Sequence, residues 1–106
     1  MYYHVTARLK EQATAEFYRK LTDGTVAAGK PDGKEIVASM NRAVVTDSGL
    51  VEWSERCFCE TPLAHERETV LDFYFDDLQT KEVDGYQEHE GRPLMLHLAD
   101  AAGPDA

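Results

Sequence analysis

Residues 50–67, LVEWSERCFCETPLAHER, constrain this chain more than any other stretch. Leu50 to Cys59 reads as a long strand, a single residue breaks it, and Thr61-Pro62 offers the start of a helix. The same stretch holds the only tryptophan, Trp53, both cysteines, Cys57 and Cys59, and one of the four histidines, His65. The rest of the chain is organised around this strand-to-helix unit.

Residues 2–9, YYHVTARL, alternate strictly and predict a half-buried strand. Tyr3, Val5, Ala7 and Leu9 share one face; Tyr2, His4, Thr6 and Arg8 share the other. Residues 11–22 read as a helix, with Ala13, Phe17 and Leu21 recurring every four positions and Asp23-Gly24 as its stop. Residues 23–33 are a loop with one helical turn at Thr25 to Ala28. Residues 35–46 and 50–59 flank Asp47-Ser48-Gly49, which predicts a hairpin with a bulge near Asn41-Arg42. A competing reading makes residues 32–40 helical, with Ile36, Val37 and Met40 as the apolar side. Residues 62–78 are the clearest helix: Thr61 as N-cap, Pro62 at the first helical position, and an apolar stripe of Leu63, Val70, Leu71, Tyr74 and Leu78. Residues 82–88 are read as the last strand, and Pro93 starts a short helix through Leu98.

The order strand, helix, strand, strand, helix, strand is a split βαβ arrangement. It predicts one ferredoxin-like α+β domain over residues 1–98: a four-stranded antiparallel sheet with two helices on one face. Residues 99–106, ADAAGPDA without its flanking bulk, read as a disordered tail.

Composition removes several classes of function. The net charge of −9 makes the chain a poor nucleic-acid binder and disfavours anionic membranes. No apolar run reaches the roughly 18 residues needed to span a bilayer. The N-terminus lacks the pattern of a signal peptide, so the expectation is a cytoplasmic protein, bacterial in size, with reduced thiols. No Walker loop, GxGxxG or GxSxG occurs, and HERET at residues 65–69 is not the H-E-x-x-H of a zinc peptidase.

With helices on one side, the open sheet face carries Tyr2, His4 and Arg8 from the first strand and Glu52, Ser54, Arg56 and Phe58 from the third. A histidine that exchanges protons near neutral pH, beside arginines able to hold an oxyanion, suits enolisation or oxygenation chemistry. In strand order the chain resembles the dimeric α+β-barrel proteins, small ferredoxin-like domains that pair open face to open face. Some of these are isomerases, monooxygenases or small decomposing enzymes. The resemblance implies a homodimer. It also implies a ligand site on the open face, with His4 for proton transfer, Arg8 and Arg56 as anion holders, and Tyr2, Glu52, Ser54 and Phe58 around them.

Two inward features complete the reading. Glu55 falls in the buried parity of the third strand. Arg67 lies about 40° from Leu63 on the helix by 3.6 periodicity, inside its apolar stripe. Buried charges pair or reach out, which predicts a Glu55–Arg67 ion pair at the corner, or another partner for each such as Glu66, Asp77 or Arg42; the alternative is that Arg67 reaches water along its stem. Cys57, Cys59 and His65 have ligand-type side chains in no standard zinc spacing, so they are read as packing residues, with no metal and no cofactor. Because no catalytic motif stands out, the leading expectation is a non-catalytic interaction or regulatory homodimer. The alternative is a small-molecule-binding domain or enzyme on the open face.

Overall fold

The computed structural model describes residues 1–103. It is an α+β domain built on one open five-stranded antiparallel sheet. Strand β1 (Tyr2–Leu9) is central and leads through a short 3₁₀ turn into α1 (Thr14–Thr22). The turn α2 (Thr25–Ala28) and helix α3 (Gly33–Arg42) follow, then β2 (Val44–Val45) and β3 (Val51–Arg56). A helical segment comes next: α4 (Ala64–Glu66), a π-helical turn (Arg67–Leu71) and α5 (Asp72–Tyr74). Strand β4 (Phe75–Val83), the short β5 (Arg92–Pro93) and α6 (Leu94–Ala102) close the chain. The spatial order is β4-β1-β3-β2-β5.

Strands β1 and β3 sort their side chains as alternation demands. Tyr3, Val5 and Ala7 on β1 and Val51 and Trp53 on β3 are buried in one core. That core also takes Phe17 and Leu21 from α1, Ile36 and Met40 from α3, and Leu94 and Leu98 from α6. The helices therefore cover one face of the sheet. At about 1.5–3 kcal/mol per large buried apolar side chain, this single cluster is the main favourable term in folding.

Three expectations are corrected. Residues 35–42 are helix, not the first arm of a hairpin. Ile36 and Met40 are four apart, a spacing that satisfies an even strand parity and one helix face alike, and the core takes them from the helix. What remains of the hairpin is β2 against β3, with Val45 opposite Val51. Helix α3 lies tight on α2: a Cβ on Gly33 would stand 2.1 Å from the Val26 carbonyl oxygen, so only glycine fits there.

The second helix is shorter than predicted at both ends. It begins at Ala64, and Leu63 adopts a left-handed conformation with φ 56°, while Thr61 makes no side-chain cap. A left-handed leucine costs roughly 1–3 kcal/mol. Full burial of its side chain returns about 1.5–3 kcal/mol, and Leu63 is completely buried. At the other end the helix stops at Tyr74, and Phe75 to Val83 form an edge strand. The register with β1 shifts between Thr6 and Arg8, and Asp77 sits at φ 54°. This bulge turns both Phe75 and Leu78 toward the core, although they are three residues apart. A spacing of three reads as helix in a sequence, which is why the strand was placed at 82–88.

The tail prediction is also revised. Residues 99–102 continue α6, and residues 104–106 lie outside the described residues. No helix among the described residues is long and apolar enough to cross a membrane.

Candidate functional site

The second face of the sheet is not open. The segment that follows β4 crosses it, bringing Tyr86, Gln87 and His89 over β1 and β3. The imidazole of His89 stacks on His4 with ring centres 4.7 Å apart. Its Nε2 lies 2.9 Å from the Ser54 hydroxyl, and the Gln87 amide donates to the same hydroxyl at 3.1 Å. Tyr86 packs edge-on against Tyr2 at 5.0 Å and donates its hydroxyl to Glu35 at 2.8 Å. Arg42 lies over the Tyr86 ring and donates to the Ser54 carbonyl at 3.0 Å. Burial, and then the neighbouring His4, push His89 below its ordinary range, so the pair of rings resists a second positive charge.

This covering decides the fate of the predicted face residues. His4 and Ser54 are cross-strand partners, and His4 Nε2 stands 3.4 Å from Glu52 Oε1. These three converge, joined by His89. Tyr2 pairs in register with Arg56 at one end, where the Arg56 guanidinium lies 4.6 Å from the Phe58 ring centre. Arg8 is at the opposite end of β1, exposed and in register with Asp76. The two arginines do not converge on His4. Glu35, Tyr86 and His89 escape the sequence reading, because a strand over residues 35–46 and a last strand over 82–88 give no reason for them to meet this face.

The predicted Glu55–Arg67 ion pair does not form. Arg67 reaches outward and bonds Asp72 at 3.0 Å. Glu55 is fully buried, and its Oε1 accepts a 2.8 Å hydrogen bond from the Trp53 indole. Its Oε2 has no donor among the described residues; its neighbour is the carboxyl of Glu66. Burial raises Glu55 well above the carboxylate range, and Glu66 raises it further. Out of water a second carboxyl nearby disfavours another negative charge, so both causes favour the protonated form of Glu55. Arg67 therefore had no buried anion to neutralise.

The two thiols complete this cluster. Strand β3 ends at Arg56, and the chain then turns so that Cys57 and Cys59 both point at Glu66. Their sulfurs lie 3.7 Å and 3.8 Å from Glu66 Oε2. The Cys59 amide donates to the Cys57 sulfur at 3.2 Å. Burial pushes the Cys57 thiol up to about 11. The ligand atoms of Cys57, Cys59 and Glu66 all lie within 4.8 Å of one another, and so do those of His4, Glu52 and His89.

Two cavities of ligand size meet beside this corner. One, of about 480 Å³, runs between α1, α2, α3 and the second helical segment, with Val26, Ile36, Val70 and Phe73 in its walls. The other, of about 580 Å³, is lined by Cys57, Cys59, Glu66, Arg56 and Phe58. Both volumes lie in the range of small-molecule sites. Asp32 and His65 line both. Asp32 accepts a hydrogen bond at His65 Nδ1, and that bond raises His65 above its ordinary range. The π-helical turn that carries Val70 lies directly after Glu66, a distortion that recurs at functional sites. No protein-family model, no curated protein and no solved structure matches this chain.

Proposed function

We propose that this protein is a small-molecule-binding domain on a ferredoxin-like scaffold, its ligand held in the helix-lined cavity with His65 and Asp32 as the polar group in the wall. The scaffold reading is supported by the order β4-β1-β3-β2 with helical connections before β2 and before β4. Strand β5 and helix α6 are then additions to it. The observation that carries the function is the His65–Asp32 pair standing between two ligand-sized cavities. Asp32 holds Nδ1 as a donor, which leaves Nε2 as the nitrogen that can bond a ligand or move a proton. The apolar walls select a largely apolar molecule with one hydrogen-bonding group. Phe73, 64% exposed at the mouth, is the kind of ring that a bound ligand would cover.

An interaction or homodimer contact made through the sheet, as distinct from the acidic helices, requires a clear sheet face. Residues of the crossing segment pack there against His4, Ser54 and Tyr2, so a partner would first have to displace them.

A panel of small apolar compounds with one polar group, screened by thermal shift and mapped by amide chemical shifts, tests the proposal. A ligand at a hundred times its Kd stabilises by about 2.7 kcal/mol. The shifts should map to α1, α3 and residues 64–74, and Val70→Trp, which fills the cavity, should abolish them while the circular dichroism stays native. Binding that maps to His4 and His89, and is indifferent to Val70→Trp, would sink the assignment.

A further inference from the structure

We propose that Cys57, Cys59 and Glu66 form a binding site for a thiophilic divalent cation of the zinc class, at the wall of the larger cavity. Three observations converge on it. The donor set, two sulfurs and one carboxylate oxygen within 4.8 Å of one another, needs only small movements to surround one ion. Cys57 and Glu66 are buried, and the three residues come from two places: the turn directly after β3 and the start of the second helical segment.

The second observation is that Glu66 has no other partner of opposite charge. It is buried and forms no ion pair among the described residues. Arg67 is bonded to Asp72, and Arg56 lies over Phe58. The buried Glu55 Oε2, also without a partner, lies beside this cluster. A cation between Glu66 and the two sulfurs would give the buried carboxylate a partner.

The third is the sulfur environment. The Cys59 amide donates to the Cys57 sulfur. That bond and the Glu66 contact hold the Cys57 sulfur facing the carboxylate and the Cys59 sulfur. Binding releases the two thiol protons to solvent and forms two metal–sulfur bonds, with no change of oxidation state. Three protein ligands leave a tetrahedral ion one position short, and an ion held by these three borders the cavity of about 580 Å³. A water or a polar ligand group would complete it. Metal binding here does not depend on a ligand in the helix-lined cavity.

The test is cobalt(II) titration of metal-free, reduced protein, read by absorbance. One equivalent should bind with intense sulfur-to-cobalt charge-transfer bands. Zinc should displace it, and zinc should protect both thiols of the unmodified protein from alkylation. Glu66→Gln should weaken cobalt at least about tenfold, the scale at which even outer-shell partners act. His4→Ala should leave the bands unchanged. Weak cobalt bands without charge transfer that vanish in His4→Ala would place the ion on His4, Glu52 and His89 and overturn the proposal. So would thiols that zinc leaves fully reactive in the unmodified protein, a result that requires no variant to fold.

Discussion

Glu55→Gln offers the sharpest check on the buried corner. The substitution keeps an oxygen for the Trp53 indole, now bonded at 2.8 Å, and replaces the protonated carboxyl by an amide of nearly the same shape. Only the ability to ionise is removed. In the unfolded chain Glu55 ionises near its ordinary value of 4.5; in the fold, burial and Glu66 keep it protonated. Below that ordinary value both states hold the proton and nothing is lost. As pH rises above it, only the unfolded chain releases the proton, so the folded state loses stability until Glu55 itself ionises. The limiting slope is about 1.4 kcal/mol per pH unit. From about pH 5 to 7 the metal-free native protein should therefore fall relative to Glu55→Gln by up to about 2.7 kcal/mol. Urea unfolding followed by Trp53 fluorescence, at several pH values in that window, measures the difference directly. A difference independent of pH, or one that grows in favour of the native protein as pH rises, would show that Glu55 is ionised in the fold and would refute the reasoning.

Four further outcomes are expected. Asp32→Asn should lower the midpoint of the His65 imidazole titration, followed by NMR, because the bond to Asp32 is the main cause of its elevation. Trp53→Phe removes the donor to Glu55 Oε1 and should cost about 1–3 kcal/mol from that unmade bond, before any packing loss, in equilibrium unfolding. Gly33→Ala places a methyl 2.1 Å from the Val26 oxygen and should destabilise by about 1–3 kcal/mol, with altered shifts around the helix-lined cavity. Glu35→Ala takes away the acceptor of the Tyr86 hydroxyl and of the Arg56 amide, so hydrogen exchange at Arg56 and at residues 84–91 should speed up while the amides of β1 and of residues 51–55 keep their protection.

The corner and the cavities show where sequence reasoning stops. The outward row His4, Glu52 and Ser54 was visible because β1 and β3 alternate cleanly, and strand parity is a local property. His89 was not, because it reaches His4 through a segment whose path no period describes. Glu55 was correctly placed inside by its parity. Which side chain it meets stays open in the sequence between Arg67 and neighbours such as Glu66: the two are adjacent on one short helical segment, and in the fold Glu66 is buried while Arg67 reaches out to Asp72.

By itself the sequence determined the alternating strands β1 and β3, the amphipathic α1 and an antiparallel α+β layering, because side-chain direction in these elements follows the local period. It also determined a net charge of −9. Tertiary structure alone decided the rest. Residues 35–42 became helix because the core accepts Ile36 and Met40 from either conformation and packs α3 against α2 through Gly33. Phe75 to Val83 became an edge strand because β1 offered it a ladder and a bulge at Asp77. Cys57, Cys59 and Glu66 met only because burying Leu63 bends the corner, and long-range packing of that kind leaves no periodic trace in a chain.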